Sequence, residues 1–164
     1  MNWLAIAGYL TLFLLLLFLL SSVLFGAPYV PTLAITSSQL FQLVQLPKGS
    51  IYYDLGCGDG RMLRYARQHG YLAVGYETNP LLWLWCKWRF RHDHGVQIYF
   101  GNFLKADLSR ADLVYVFQMG SVVAKLERTA LTTMSAGSWL VLQGYRLPKR
   151  KPTKVVGSLI CYKF

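Results

Sequence analysis

Two carboxylates and three glycines share one short stretch. The run IYYDLGCGDGR at 51–61 sets Asp54 and Asp59 among Gly56, Gly58 and Gly60. Residues 51–55 are apolar and rich in β-formers, which predicts a buried strand; residues 61–68 predict a helix. Strand, glycine-rich turn and helix make the first unit of a nucleoside- or dinucleotide-binding α/β domain. Its turn lets backbone approach a ligand at the strand's carboxyl end. A dinucleotide turn reads G-x-G-x-x-G and rests a pyrophosphate on the helix N-terminus. Here the spacing is D-x-G-x-G-x-G, and like charges in a shielded site would repel a pyrophosphate by several kcal/mol. The two carboxylates suit a ligand with a cationic part and no phosphate. S-adenosylmethionine, which carries a sulfonium and an ammonium, is such a ligand.

Residues 71–77 predict the second strand, which ends in Glu77. An acid about 20 residues beyond the glycine turn accepts hydrogen bonds from ribose hydroxyls. A solvated loop acid is the plainer reading, and the upstream glycine turn favours the first. Further strands are expected at 96–100, 112–117, 138–145, 154–156 and 159–164. Gln118 follows the strand at 112–117, at a carboxyl end where open α/β sheets bind ligands.

DLGCGDGR at 54–61 and VGYETNP at 74–80 resemble the Rossmann-like S-adenosylmethionine-dependent methyltransferases. Other pieces narrow the resemblance: an apolar N-terminal segment, APYVPT at 27–32 and YRLP at 145–148. Over nearly its whole length the chain resembles a small family of membrane-anchored protein-lysine methyltransferases. The eukaryotic members modify the adenine nucleotide translocase and the ATP synthase c-subunit. The resemblance implies an α/β Rossmann-like sheet flanked by helices and closed by an antiparallel hairpin. It implies S-adenosyl-L-methionine as cofactor, held by Asp54, Gly56, Gly58, Asp59, Gly60 and Glu77. Asn102 and Phe103 would bracket adenine, although Asp is more usual than Asn at that place. It also favours a linker at 27–32 that passes over the active site, where spacing alone leaves a plain spacer equally open. Tyr29, Thr32 and Gln118 are the candidates for orienting a substrate amine. The chain lacks the NPPY-type motif of many amino methyltransferases, and no residue stands out as a catalytic base.

The 164 residues suffice for one domain and an anchor. Residues 3–25 are apolar apart from a few Gly, Ser and Thr, long enough for a helix to span a bilayer. A secretory signal would carry a basic start and a small-x-small cleavage site, and neither is evident. The expected division is an anchor at 1–26, a linker and capping helix at 27–47, and a methyltransferase domain at 48–164. No charged side chain precedes Lys48, so the net charge of +10 lies wholly beyond the apolar segment. That asymmetry places the domain on the cytoplasmic side of a single-pass protein, in the inner membrane of a bacterium or in a mitochondrion. The expected partners are the bilayer, through 3–25, and a membrane-embedded protein substrate. Cys57, Cys86 and Cys161 form no C-x-x-C pair, so neither a zinc site nor a disulfide framework is indicated. HDH at 92–94 reads as a solvated helix end, since residues two apart share no helix face.

Thr36 and Gln39 have capping-box spacing, with Ile35 and Leu40 as a hydrophobic staple. A helix from Pro80 would lay Leu81, Leu84, Trp85 and Trp88 on the sheet. Trp83 and Phe90 would then point outward beside Lys87 and Arg91, as a membrane-interface face or as ordinary exposed aromatics. The basic turn holding Arg146, Lys149, Arg150, Lys151 and Lys154 suits lipid phosphate or plain solvation. Three rival functions stay open. They are a nucleic-acid or small-molecule methyltransferase, which the charge suggests, an inactive membrane scaffold of the same fold, and an NAD-linked oxidoreductase. The membrane segment disfavours nucleic acid, the intact glycine turn disfavours the scaffold, and the paired carboxylates disfavour NAD.

Overall fold

Central strand β1 (Ile51–Leu55) pairs on both edges, parallel to β2 (Leu72–Glu77) and to β4 (Leu113–Val116). Strand β3 (Val96–Phe100) extends the sheet beyond β2, and β5 (Trp139–Gln143) lies parallel to β4. The hairpin β6 (Lys154–Val156) and β7 (Leu159–Lys163) closes the far edge antiparallel, giving the order β3-β2-β1-β4-β5-β7-β6. The expected strands therefore form one sheet, with the expected terminal hairpin. The strand order reverses between β1 and β4, and in open α/β sheets the crevice outside that reversal is where ligands bind. This computed structural model describes residues 2–25, 34–117 and 120–164, without the side chains of 15, 18–25, 34–36, 120 and 121.

Two apolar layers sandwich the sheet. Strand alternation sends Tyr52 to one side, where Cys57 of the following loop joins it and α2 (Ala34–Leu43), α3 (Arg61–Gln68) and α4 (Pro80–Arg89) pack. Tyr53 and Leu55 face the other side, toward α5 (Gly120–Thr133) and the 3-10 turn Phe103–Lys105. Helix α2 belongs to the first layer: Leu40, Phe41 and Val44 are buried, and Phe41 meets the rings of Tyr52, His69 and Tyr71. It is already helical at Ala34, so Thr36 lies inside the helix and is not its N-cap. Between β3 and β4 the chain makes only the 3-10 turn Phe103–Lys105, so no long helix covers the sheet there. The rings of Tyr53, Tyr76 and Tyr99 instead stack across β1, β2 and β3, with centroids 6.4 Å and 5.2 Å apart. In the basic turn, Arg150 lies over Phe164 and Lys154 over Trp139. Lys149 N–H donates to the buried Glu127 carboxylate at 3.0 Å.

Helix α1 (Trp3–Phe25) runs for 23 residues with no charged side chain. Its described large apolar side chains, among them Leu4, Leu10, Phe13 and Leu16, are exposed. Among the described residues no helix is long and apolar enough to cross a membrane, so the expected transmembrane segment is not shown.

Helix α4 is rotated from the sequence expectation. Asn79 caps it, its side chain accepting from Leu81 and Leu82 N–H, with Pro80 as the first helical residue. Trp83, Cys86 and Phe90 turn inward, while Leu81, Leu84, Trp85 and Trp88 are exposed. Both stripes have helical spacing, so periodicity does not choose between them. The glycine loop does. A Cβ at Gly60 would meet the Phe90 ring at 2.6 Å and Cys86 Sγ at 3.0 Å, so the missing side chain makes the hole those two fill.

Gly75 serves the same end beneath the loop, where an added Cβ would sit 2.8 Å from Cys57 Sγ and 2.9 Å from Leu63 Cδ1. Gly75→Ala should therefore overpack the layer and cost about 1–3 kcal/mol, visible as a lowered thermal midpoint. An unchanged midpoint would show that the layer has slack.

Candidate functional site

The glycine loop sits at the carboxyl end of β1, beside the strand-order reversal. Gly56 and Cys57 N–H both donate to the Tyr76 carbonyl at 2.9 Å, folding the loop back onto β2. Gly56, Gly58 and Gly60 take φ of 99°, 55° and 77°, where a side chain would be strained. Cys57 is buried beneath the loop; a hydrogen bond with Cys86 and then burial push its thiol up, which keeps it protonated. The Cys86 thiol donates to the Gly58 carbonyl at 3.1 Å, tying α4 to the loop.

Glu77 holds the loop from the other side. Its Oε2 accepts Gly58 N–H at 2.8 Å, and its Oε1 accepts Thr78 and Asn79 N–H at 2.9 Å and 2.8 Å. A carboxylate offers about four acceptor positions, so roughly one, on Oε2, remains for a ligand hydroxyl. The expected ribose-binding acid is thus also the strut that sets the loop's height.

Asp54, the last-but-one residue of β1, is buried. Burial pushes its carboxyl well above the usual carboxylate range, and the negative charges of Glu77 and Asp59 push it further. A cation beside it would reverse that shift. Asp59 is differently placed. Its carboxylate pairs with Arg61, Oδ2 to Nη2 at 3.0 Å, and also accepts Arg61 N–H at 3.1 Å. Burial alone would raise Asp59, but the hydrogen bonds and charge of Arg61, with Arg89 beyond, hold it below its ordinary value. Arg89 also donates to the Asp59 carbonyl at 3.2 Å. The two acids of the motif therefore diverge: Asp59 is neutralised within the chain, and Asp54 is left with acids as its charged neighbours. Arg61, the cation beside the loop, is engaged by Asp59.

Asn102 caps the turn after β3, its Oδ1 accepting Leu104 N–H at 2.9 Å. Phe103 is 8% exposed and packs in the α5 layer, which leaves little ring face for a base. The exposed aromatic at this corner is Phe100, in register with Glu77 and 5.5 Å from the Trp83 ring. The sequence pattern points beyond the strand, to Phe103, and not to the strand's last residue. The indole Nε1 of Trp83 is buried without a hydrogen-bond partner. Tyr29, Thr32 and Gln118 lie outside the described residues, as does all of 27–32. Among the described residues no His, Cys, Asp and Glu side chains gather as a metal site.

The ANTKMT methyltransferase domain family matches residues 54–154, from the buried acid to the start of the hairpin. An ATP synthase c-subunit lysine N-methyltransferase of Xenopus laevis is 29% identical over 134 residues, covering 80% of this chain and 59% of that protein. The chain thus spans about three-fifths of that relative's length. A protein-lysine N-methyltransferase of Saccharolobus islandicus is 28% identical over 141 residues, covering 79% of this chain and 83% of the relative. An RNA methyltransferase from Salinibacter ruber, solved with S-adenosyl-L-homocysteine, superposes with a TM-score of 0.77 at 27% identity. That alignment covers 82% of this chain and 93% of the other.

The raised Asp54 carboxyl fixes a pH dependence. Its folded value lies above its unfolded one, so its contribution is full below the ordinary carboxylate range and is lost as pH rises through the folded value. Without ligand, Asp54→Asn should match the parent's thermal midpoint near about pH 4 and exceed it increasingly toward about pH 8. A constant offset across that range would show that Asp54 is not the group under strain.

Proposed function

The chain belongs to the ANTKMT methyltransferase domain family, and on that premise we propose that it is an S-adenosylmethionine-dependent protein-lysine N-methyltransferase acting on a membrane-embedded protein. One observation carries the reading: a buried carboxyl short of a cation stands one loop away from an acid that binds backbone and has about one acceptor position to spare. The residues fit the donor at both ends. Asp54 would take its ammonium end, Glu77 a ribose hydroxyl, and the positive-φ glycines would let backbone approach the adenosine. Phe100 and Asn102 would border the base. The Salinibacter structure was solved with S-adenosyl-L-homocysteine, which supports the same ligand.

S-adenosylmethionine supplies an electrophilic methyl carbon when bound. The chain's own task is to bring an amine to it in line and uncharged. Free lysine has a pKa near about 10.4, so roughly one side chain in a thousand or fewer is neutral at pH 7. A site that excludes water lowers that pKa, and positioning supplies most of the remaining rate. Tyr29, Thr32 and Gln118 are proposed to orient the amine over the β1–β4 crevice.

The substrate class follows from the relatives, named for lysines of the ATP synthase c-subunit and the adenine nucleotide translocase. The membrane location rests on α1, uncharged over 23 residues. All 17 lysines and arginines follow it, which favours a single anchor with the domain on the cytoplasmic side or its equivalent. A second reading, methylation of RNA, is favoured by the +10 charge and by the name of the Salinibacter protein.

Labelled-methyl transfer to membranes from cells lacking this protein separates the readings. The label should enter lysine in a membrane protein, and Asp54→Ala should abolish transfer. Label entering only lipid or RNA would overturn the lysine assignment.

A further inference from the structure

The exposed stripe of α4 has no partner among the described residues, and its composition is unusual for a water-facing surface. Leu81, Leu84, Trp85 and Trp88 recur at the spacing of one helix face and are 44%, 54%, 47% and 57% exposed. The Trp85 and Trp88 rings lie 5.3 Å apart, and the Arg91 guanidinium sits 4.8 Å from the Trp88 ring centroid. Lys87 and Arg91 edge the stripe, and residues 80–92 contain no acid. The helix is held from behind: Cys86 is fully buried, and Arg89 reaches the Asp59 carbonyl.

We propose that this α4 face is a membrane-interface surface that seats the domain in the headgroup region of an anionic bilayer. Three observations select lipid as the occupant. Tryptophan and leucine bordered by cations, without acids, match a negatively charged interface in polarity and in sign. Helix α1, whose described apolar side chains are exposed, comes into contact with α4, so a second apolar helix stands beside this one. Finally, α1 leaves the α4 stripe uncovered, so the anchor is not its occupant. Because α4 is bonded to the glycine loop, seating this face also fixes the height of the β1–β4 crevice over the membrane. Side chains close to the headgroups are then within reach, and distant ones are not. This inference rests on α1 being a membrane anchor and adds a second point of contact to it.

The full chain, in a Trp3→Phe background, would be reconstituted in vesicles containing about one-third phosphatidylglycerol, with lipids brominated near the glycerol end of the acyl chains. Tryptophan quenching would be compared with the Trp85→Phe/Trp88→Phe variant, and thermal unfolding would show that both chains are folded. The expected result is that both chains float with the vesicles and the double variant loses about half or more of the quenching. Equal quenching in two floating chains overturns the α4 surface and leaves the anchor standing. Failure of the parent chain to float overturns anchor and surface together. A difference seen only when vesicles also carry a small helical membrane protein bearing a headgroup-level lysine assigns the face to protein and overturns the lipid assignment.

Discussion

A carboxyl group buried against two other acids constrains everything around it. Asp54 lies inside the sheet's carboxyl end, where losing water disfavours its charge and Glu77 disfavours it further. Glu77 is stabilised by three backbone N–H groups and Asp59 by Arg61, so neither needs an outside cation. Asp54 alone keeps an electrostatic demand, and a positively charged ligand part meets it. The loop that frames this demand is held at a fixed height by the Tyr76 carbonyl below, Glu77 on one side and Cys86 on the other.

Much of this was legible in the residues. The strand at 51–55, the helix at 61–68 and the cap-plus-proline start of the helix at 80 have strong local causes, and the structure places each where its pattern ends. The glycine loop was legible because positive φ leaves a signature in residue type. What stayed hidden depends on contacts between distant segments. The rotation of α4 turns on the space left by Gly60, and two stripes of equal spacing carry no trace of that space. The diversion of Asp59 to Arg61 is a competition that the motif presents as two equal acids. Phe103 and Phe100 exchange prominence because the turn after β3 dives under α5 while the strand's last residue stays at the surface.

On the proposed function, the described layers suit a site open to a large partner. Between β3 and β4 the chain makes the 3-10 turn Phe103–Lys105 and no longer helix, so among the described residues no inserted lobe stands over the crevice. Selectivity must then come from where the crevice is held more than from walls around it. A rigid loop, a helix bonded to that loop and an apolar helix beside it supply such a placement. On the proposed function, distance from a membrane surface would be the filter, which would suit a side chain presented by a large partner better than a small molecule that needs enclosure.

The central claim is that the Asp54 carboxylate receives the ammonium end of an adenosyl amino acid. Calorimetry of the full chain with S-adenosylhomocysteine, and with the same compound lacking its α-amino group, tests it directly. The account expects the amino-free compound to bind about tenfold or more weakly, the scale of a lost charge-assisted hydrogen bond in a shielded site. Equal affinity for the two compounds, or uptake of NAD in preference to both, would contradict it.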